Sequence, residues 1–249
     1  QSSNINGSNT MKDQIVLIAG GSGGIGQASA DLFSKAGAKV VLAARNREKA
    51  EAKAREINDR GGQCFVIDLD VTDSQSVSAM VQTIERDLGP IDVLVNAFGT
   101  GIIQPLLDIK PEDAKAVIDV NVYGTILVTQ AVVRHMAANK KGRVIMFPGI
   151  LGKAVMRNSS VYSASKYAVT GFTKALVEEQ KRSGIFFSLF YLGGVATDFW
   201  ENPVVTMRVQ ADKMLSAAEV AKAVYYAASQ PEGSVLTEIS LQPESHMMV

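Results

Sequence analysis

The sequence predicts an α/β fold: one doubly wound parallel sheet of about seven strands, flanked by helices. Short β-branched apolar runs alternate strictly with longer segments of helical periodicity. Most of these runs are nearly continuous in apolar residues, as parallel strands covered on both faces require. No repeat, low-complexity tract or interdomain linker interrupts residues 12–249, so one domain is expected there.

Taken in order, the expected strands are Ile15–Ala19, Lys39–Ala43, Cys64–Asp68, Ile91–Asn96, Arg143–Phe147, Ile185–Tyr191 and Val235–Leu241. The helices between them are Ile25–Lys35, Arg47–Arg60, Ser74–Leu88, Pro111–Asn139, Val161–Arg182 and Ser216–Gln230. Gly37 and Gly61-Gly62 stand where helices should stop. Pro111, followed by Glu112 and Asp113, suits a first helical turn. Ser216 with Glu219 three residues on is a capping-box pattern. The longest loop, Leu192–Met214, comes late, and long loops in compact domains are usually functional.

Bulk properties narrow the function classes. Lys+Arg and Asp+Glu both number 25, so the chain lacks the basic field that a nucleic-acid or anionic-membrane partner would need. No apolar stretch of membrane-spanning length is expected. Cys64 is the single cysteine and reads as a small core hydrophobe in a reducing, cytoplasmic setting. With one cysteine, and His135 and His246 far apart, no metal site is expected. Residues 1–11 read as a disordered arm or a vector-derived remnant, Met11 being a plausible natural start.

The first strand runs into Gly20-Gly21-Ser22-Gly23-Gly24-Ile25-Gly26 and then a helix. Glycines there allow a tight turn close to a pyrophosphate, and the helix N-terminus adds amide donors, as in a Rossmann-type fold. An ordinary tight turn or a methyltransferase loop shares the pattern, but the strand–loop–helix placement favours a dinucleotide. The second strand ends in Ala43-Ala44-Arg45-Asn46-Arg47, with no carboxylate for ribose hydroxyls. Arg45 can instead pair with a 2′-phosphate, so NADP(H) is the expected cofactor. Taken alone, Tyr162 and Lys166, four apart on a helix face, read as a solvated pair; the alternative is a lysine ammonium beside a phenol, which would lower its pKa.

Six segments in order resemble the short-chain dehydrogenase/reductase family: Gly20-x3-Gly24-Ile25-Gly26, Asp70-Val71-Thr72, Val95-Asn96-Ala97-Phe98-Gly99, Asn121-Val122-Tyr123-Gly124, Tyr162-Ser163-Ala164-Ser165-Lys166 and Gly193-Gly194-Val195-Ala196-Thr197. The resemblance spans Lys12 to about Pro243. It implies interconversion of a carbonyl and an alcohol, with Tyr162 as general acid/base, Lys166 also bonding the nicotinamide ribose, and Asn121 holding a relay water. It also implies that Asp70 and Val71 meet the adenine, that Asn96, Ala97 and Gly99 wall the cofactor, and that Gly193 to Thr197 meet the nicotinamide amide.

One departure is chemical. The family usually places a serine thirteen residues before the tyrosine, and here that position is Gly149, after Pro148. A water, the Gly149 amide, or Ser159 or Ser160 would have to replace it; otherwise the chain is a catalytically impaired NADP-binding or sensor protein. Losing one such donor typically slows turnover about 100- to 1000-fold without abolishing it. Phe98 replaces a small residue, and Tyr191-Leu192 replace the usual Asn-Pro. The expected substrate is a small-molecule carbonyl or secondary alcohol, received by Phe98, Ile150, Leu151, Met156, Phe199 and Trp200, the last two forming a lid. The resemblance implies a homodimer or homotetramer assembled through Pro111–Asn139 and Val161–Arg182.

Overall fold

The structure, a computed structural model, describes residues 11–248; the arm expected at 1–10 lies outside the described residues. Met11 itself is buried in the core and donates its amide to Ala36, so it belongs to the folded unit rather than to the arm.

Seven strands form one parallel sheet in the order β3-β2-β1-β4-β5-β6-β7. They are β1 (Ile15–Ala19), β2 (Lys39–Ala44), β3 (Gln63–Asp68), β4 (Val93–Asn96), β5 (Gly142–Met146), β6 (Ile185–Leu192) and β7 (Glu238–Leu241). The helices are α1 (Gly24–Lys35), α2 (Arg47–Asp59), α3 (Ser74–Asp87), α4 (Pro111–Ile118), α5 (Thr125–Asn139), α6 (Ser160–Glu179) and α7 (Ala217–Ala228). This is the predicted doubly wound sheet, and the strand order reverses between β1 and β4. In such sheets ligands bind outside that point, at the C-terminal strand ends.

Each sheet face carries its own apolar layer. Val16, Ile18, Val40 and Leu42 pack against α1, α2 and α7, with Phe33, Ile57 and Val224 among the contacts. Leu17, Val41, Leu94 and Val144 pack against α3, α5 and α6 on the other face. Cys64 is buried in the first layer, and burial pushes its thiol up to about 12, in keeping with an inert core residue. Pro111 and the Ser216–Glu219 pair act as expected, and two further caps appear. Asn46 and Asp73 cap α2 and α3, Pro111 opens α4, and Ser216 and Glu219 form a reciprocal capping box on α7.

Three expectations need correction. β7 begins at Glu238, not Val235. The predicted helix Pro111–Asn139 is broken in its middle by a wider π-type turn, Asp119–Gly124. That same stretch is also long and apolar enough to cross a membrane by length and composition, with a window of mean hydropathy 1.6. Its apolarity has a local use, because Val128, Val132, Val133 and Met136 cover the sheet. Among the described residues no cluster of metal-binding side chains occurs.

Candidate active site

Most of the sequence-predicted site residues fall at or just after C-terminal strand ends, whereas Asn121 lies on the π-type turn between α4 and α5, and Tyr162 and Lys166 lie on α6. The glycine segment is shaped by close approach. A Cβ at Gly20 (φ +92°) would lie 2.5 Å from the Phe98 amide nitrogen, and one at Gly26 would lie 2.6 Å from the Gly20 carbonyl oxygen. The bare backbone thus lies flush against the end of β4, where Ala97 and Gly99 follow Asn96. Ser22 and Gly23 then lead into α1, which opens with Gly24 and Ile25 and whose first amides lack intrahelical partners. Thr197 crosses from β6 to within 3.1 Å of a Cβ placed at Gly24, so the loop carrying Gly193 and Val195 closes the other side.

Beyond the end of β2, Arg45 is exposed and makes no ion pair among the described residues. Its neighbours are committed: Arg47 pairs with Glu51 and Asp68, and the Asn46 side chain accepts the Lys49 amide at 3.1 Å. Asp70 accepts the Thr72 hydroxyl at 2.7 Å and the Thr72 amide at 2.9 Å. These bonds, and then the charge of Arg45, hold its carboxyl below the usual carboxylate range. Val71 is buried beside Gly124, which ties this end to the π-type turn.

That turn places Asn121. π-type turns inside helices are frequently found at functional sites. Here the Asn121 Nδ2 donates to the Thr100 carbonyl at 2.8 Å and to Ser165 Oγ at 3.0 Å, and its Oδ1 accepts the Thr100 amide at 2.9 Å. Thr125 Oγ1 donates to the Asn121 carbonyl at 2.7 Å. One residue therefore pins the segment after β4 to α6, the helix that carries Tyr162 and Lys166. The Lys166 Nζ donates to the Phe147 carbonyl at 2.9 Å and lies 5.6 Å from the centre of the Tyr162 ring. Asn96, Phe98, Asn121, Thr125, Met146, Phe147, Lys166 and Val169 enclose a cavity of about 10 Å³, the space of one water.

Burial dominates the electrostatics here. It pulls the Lys166 ammonium down to about 8 and pushes the Tyr162 phenol above its ordinary range. The second shift is opposite in sign to the sequence expectation: in the protein alone, the desolvation of Tyr162 outweighs any help from Lys166. Stability should respond in two steps. Between about pH 8 and 10 the unfolded chain keeps a Lys166 proton that the folded chain has released, so stability rises with pH, by about 2 kcal/mol. Above about pH 10 the unfolded phenol ionises while the folded one does not, so stability falls. Thermal midpoints of the cofactor-free protein against pH check this. Lys166→Met should remove the rise, and a rise that survived the substitution would assign it elsewhere.

The serine position has a backbone of its own. Gly149 adopts φ +66°, ψ 173°, a region that is essentially glycine-only, and its amide donates to the Phe190 carbonyl at 3.0 Å. The Ser159 hydroxyl donates to the Met156 carbonyl at 2.6 Å and shares a 2.8 Å bond with Ser163. Ser160 lines an open cavity with Leu106, Val155 and Tyr167, whose walls do not include Tyr162. Of the substitutes that the sequence offered, the Gly149 amide and the Ser159 hydroxyl are thus bonded elsewhere, and Ser160 opens on another cavity. Gly149→Ser should cost about 1–3 kcal/mol of strain, lower Tm by roughly 2–10 °C, and give no gain in turnover. A stable, faster Gly149→Ser protein would contradict this.

Of the two residues expected to form a lid, Phe199 packs near Tyr162 and Trp200 packs on Phe199. The Phe199 ring stands 5.6 Å from Tyr162 and 5.1 Å from Trp200, whose Nε1 donates to the Val195 carbonyl at 2.8 Å. The loop is fastened to the segment after β4, with Ile103 pairing to Val205 and the Thr206 hydroxyl donating to the Ile103 carbonyl.

The family model for short chain dehydrogenases matches residues 14–206. The chain belongs to the short-chain dehydrogenase family. An uncharacterised oxidoreductase of Staphylococcus aureus (strain USA300) is 31% identical over 94% of this chain and 98% of its own length. A metagenomic short-chain oxidoreductase solved with NADP is 29% identical, with a TM-score of 0.81 over 94% of this chain and 98% of that one. A gluconate 5-dehydrogenase from Burkholderia cenocepacia, solved with NADP and tartrate, is 27% identical, with a TM-score of 0.81 over 92% of this chain and 94% of that one. An alcohol dehydrogenase from Thermococcus sibiricus, at 22% identity and a TM-score of 0.86 over 95% of this chain and 99% of that one, shares the fold.

In this short-chain dehydrogenase two features escaped the sequence reading. Asn96 Oδ1 is buried without a partner beside the one-water cavity, while its Nδ2 donates to Thr129 and Met146. Lys49, on the first turn of α2, pairs with Asp198 at 2.8 Å, linking the Arg45 end of the cleft to the loop that carries Phe199. Neither has a local sequence signal, because each depends on two strand ends being brought together.

Proposed function

We propose that the chain is an NADP(H)-dependent oxidoreductase that interconverts a carbonyl and a secondary alcohol, with Tyr162 as general acid/base assisted by Lys166 and Asn121. The observation that carries the reading is the convergence of these three side chains: Lys166 beside Tyr162, and Asn121 holding α6 against the segment after β4. The residues fit the cofactor. The flush backbone at Gly20 and Gly26 leaves no side chain between the loop and a pyrophosphate; Ser22, Gly24 and Ile25 would offer amides, and Gly23, whose amide donates to the Gly20 carbonyl at 3.1 Å, would shape the turn. Arg45 and Asn46 would hold the 2′-phosphate, Asp70 and Val71 the adenine, Asn96, Ala97 and Gly99 the wall, and Gly193, Val195 and Thr197 the nicotinamide amide. The NADP held by two structural neighbours supports this assignment. Bound there, NADP(H) would supply or accept the hydride.

The chain's own residues would handle the proton. Tyr162 would give its phenol proton to the carbonyl oxygen on reduction and take it back on oxidation. The Lys166 ammonium would orient the ribose and stabilise the phenolate. A water in the cavity would accept from Lys166 and donate to the orphaned Asn96 Oδ1, giving that atom the partner it lacks. A second water would stand for the hydroxyl absent at Gly149. Phe199 and Trp200 would exclude bulk solvent.

The runner-up, an NADP-binding sensor with decayed chemistry, is favoured by one observation: the Gly149 amide and the Ser159 hydroxyl are both bonded to backbone carbonyls. NADPH oxidation by purified protein with a carbonyl panel separates the two readings. Turnover supports the enzyme, and tight NADPH binding without turnover supports the sensor. The proposal includes a cytoplasmic homodimer or homotetramer with neither nucleic-acid nor membrane partner. Ile118, Tyr123 and Tyr167, exposed on the helices expected to assemble, support the oligomer.

A further inference from the structure

We propose that Met248, clamped by Gln242, forms part of the wall that receives the apolar substituent of the carbonyl substrate; this rests on the carbonyl-reductase reading above. The Gln242 carboxamide grips both backbone groups of Met248. Its Nε2 donates to the Met248 carbonyl at 3.0 Å, and its Oε1 accepts the Met248 amide at 2.8 Å. The intervening segment is anchored as well. Pro243 is buried against Gly193, where a Cβ would come within 2.8 Å of the proline ring, and Ser245 Oγ donates to the Lys213 carbonyl at 2.9 Å. The segment after β7 is thus fixed to the loop that follows β6.

The clamp delivers the Met248 side chain to a specific place. It packs on the cluster formed by Ile150, Leu151, Leu189 and Tyr191, the same cluster that receives Met156 and the Tyr162 ring. Phe199 covers another side of that ring. A substrate with its oxygen at the Tyr162 hydroxyl has to direct a substituent toward one of these apolar surfaces. Tyr191, at a position where the family usually has a polar residue, is one of the four buried members of that cluster. The Tyr191 ring is fully buried, with the Lys153 ammonium 4.9 Å from its centre. A thioether at its edge adapts to substituents of different shape better than a branched side chain would.

The test is the reduction of a series of methyl ketones, from butanone to octanone, with NADPH. The proteins compared are wild type, Met248→Ala, Met248→Leu and Gln242→Ala. In Met248→Ala and Gln242→Ala the octanone-to-butanone ratio of kcat/KM should fall about tenfold, mainly through KM. Met248→Leu should restore most of it, and NADPH affinity should stay within about twofold in all three variants. An unchanged ratio in an active Met248→Ala protein overturns this inference and leaves the reductase reading standing. A wild type that reduces none of the ketones overturns both.

Discussion

Tyr162→Phe is expected to lower kcat by about 10²- to 10⁴-fold while leaving NADPH affinity within about twofold. The substitution removes one oxygen and keeps the ring. The ring's contacts with Phe199 and with the Ile150–Leu151 cluster would survive, so the lid and the packing of α6 should not change. Only the proton donor is lost. Lys166 would remain beside the empty hydroxyl position, still bonded to the Phe147 carbonyl. Single-turnover NADPH oxidation, alongside a fluorescence titration of the cofactor, checks both halves. A variant retaining more than a tenth of wild-type kcat would remove Tyr162 from the proton step.

Arg45→Asp is expected to reverse the cofactor preference. Arg45 is exposed and unpaired at the end of β2, so it contributes little to folding that its loss could disturb. A hydrogen-bonded charge pair with a 2′-phosphate contributes about 1.5–3 kcal/mol, roughly a 10- to 100-fold gain for NADPH over NADH. Aspartate both removes that pair and repels the phosphate, while it can accept the two ribose hydroxyls of NADH. The NADPH Kd should therefore rise by at least about 100-fold and the NADH Kd should fall. Isothermal titration with each cofactor reads this directly. An unchanged ratio would leave Arg45 as a solvated loop residue.

Much of the fold was legible because its signals are local. Continuous apolar runs mark parallel strands wherever they occur; Pro111 starts a helix through its fixed φ, and Ser216 does so by bonding to Glu219. What escaped depends on contacts between distant segments. The turn at Asp119–Gly124 exists where Asn121 must reach both Thr100 and Ser165, and nothing in Pro111–Asn139 alone announces it. Val235–Thr237 have strand composition, but the residue pairs with β6 run only over Glu238–Leu241, with the Thr237 carbonyl accepting the Leu189 amide at their edge.

The site shows the same division. Counting residues from Tyr162 exposed the missing hydroxyl at Gly149, but the positive φ that makes glycine fit there belongs to the three-dimensional backbone. Spacing alone suggested a lowered Tyr162 pKa, because spacing reports a neighbouring charge and is blind to burial. Burial gave the opposite direction. Asn96 read as a strand-end wall, and only the enclosed cavity beside it reveals an acceptor without a partner.

The central claim is that Tyr162, Lys166 and Asn121 reduce a carbonyl even though Gly149 offers no hydroxyl. The most direct measurement uses NADPH deuterated at C4 of the nicotinamide, a panel of aliphatic ketones, and mass analysis of the alcohols formed. Deuterium on the carbinol carbon, from wild type and not from Tyr162→Phe, is the predicted result. A wild type that binds NADPH but leaves every ketone unlabelled and unreduced would contradict the account and assign the site to binding alone.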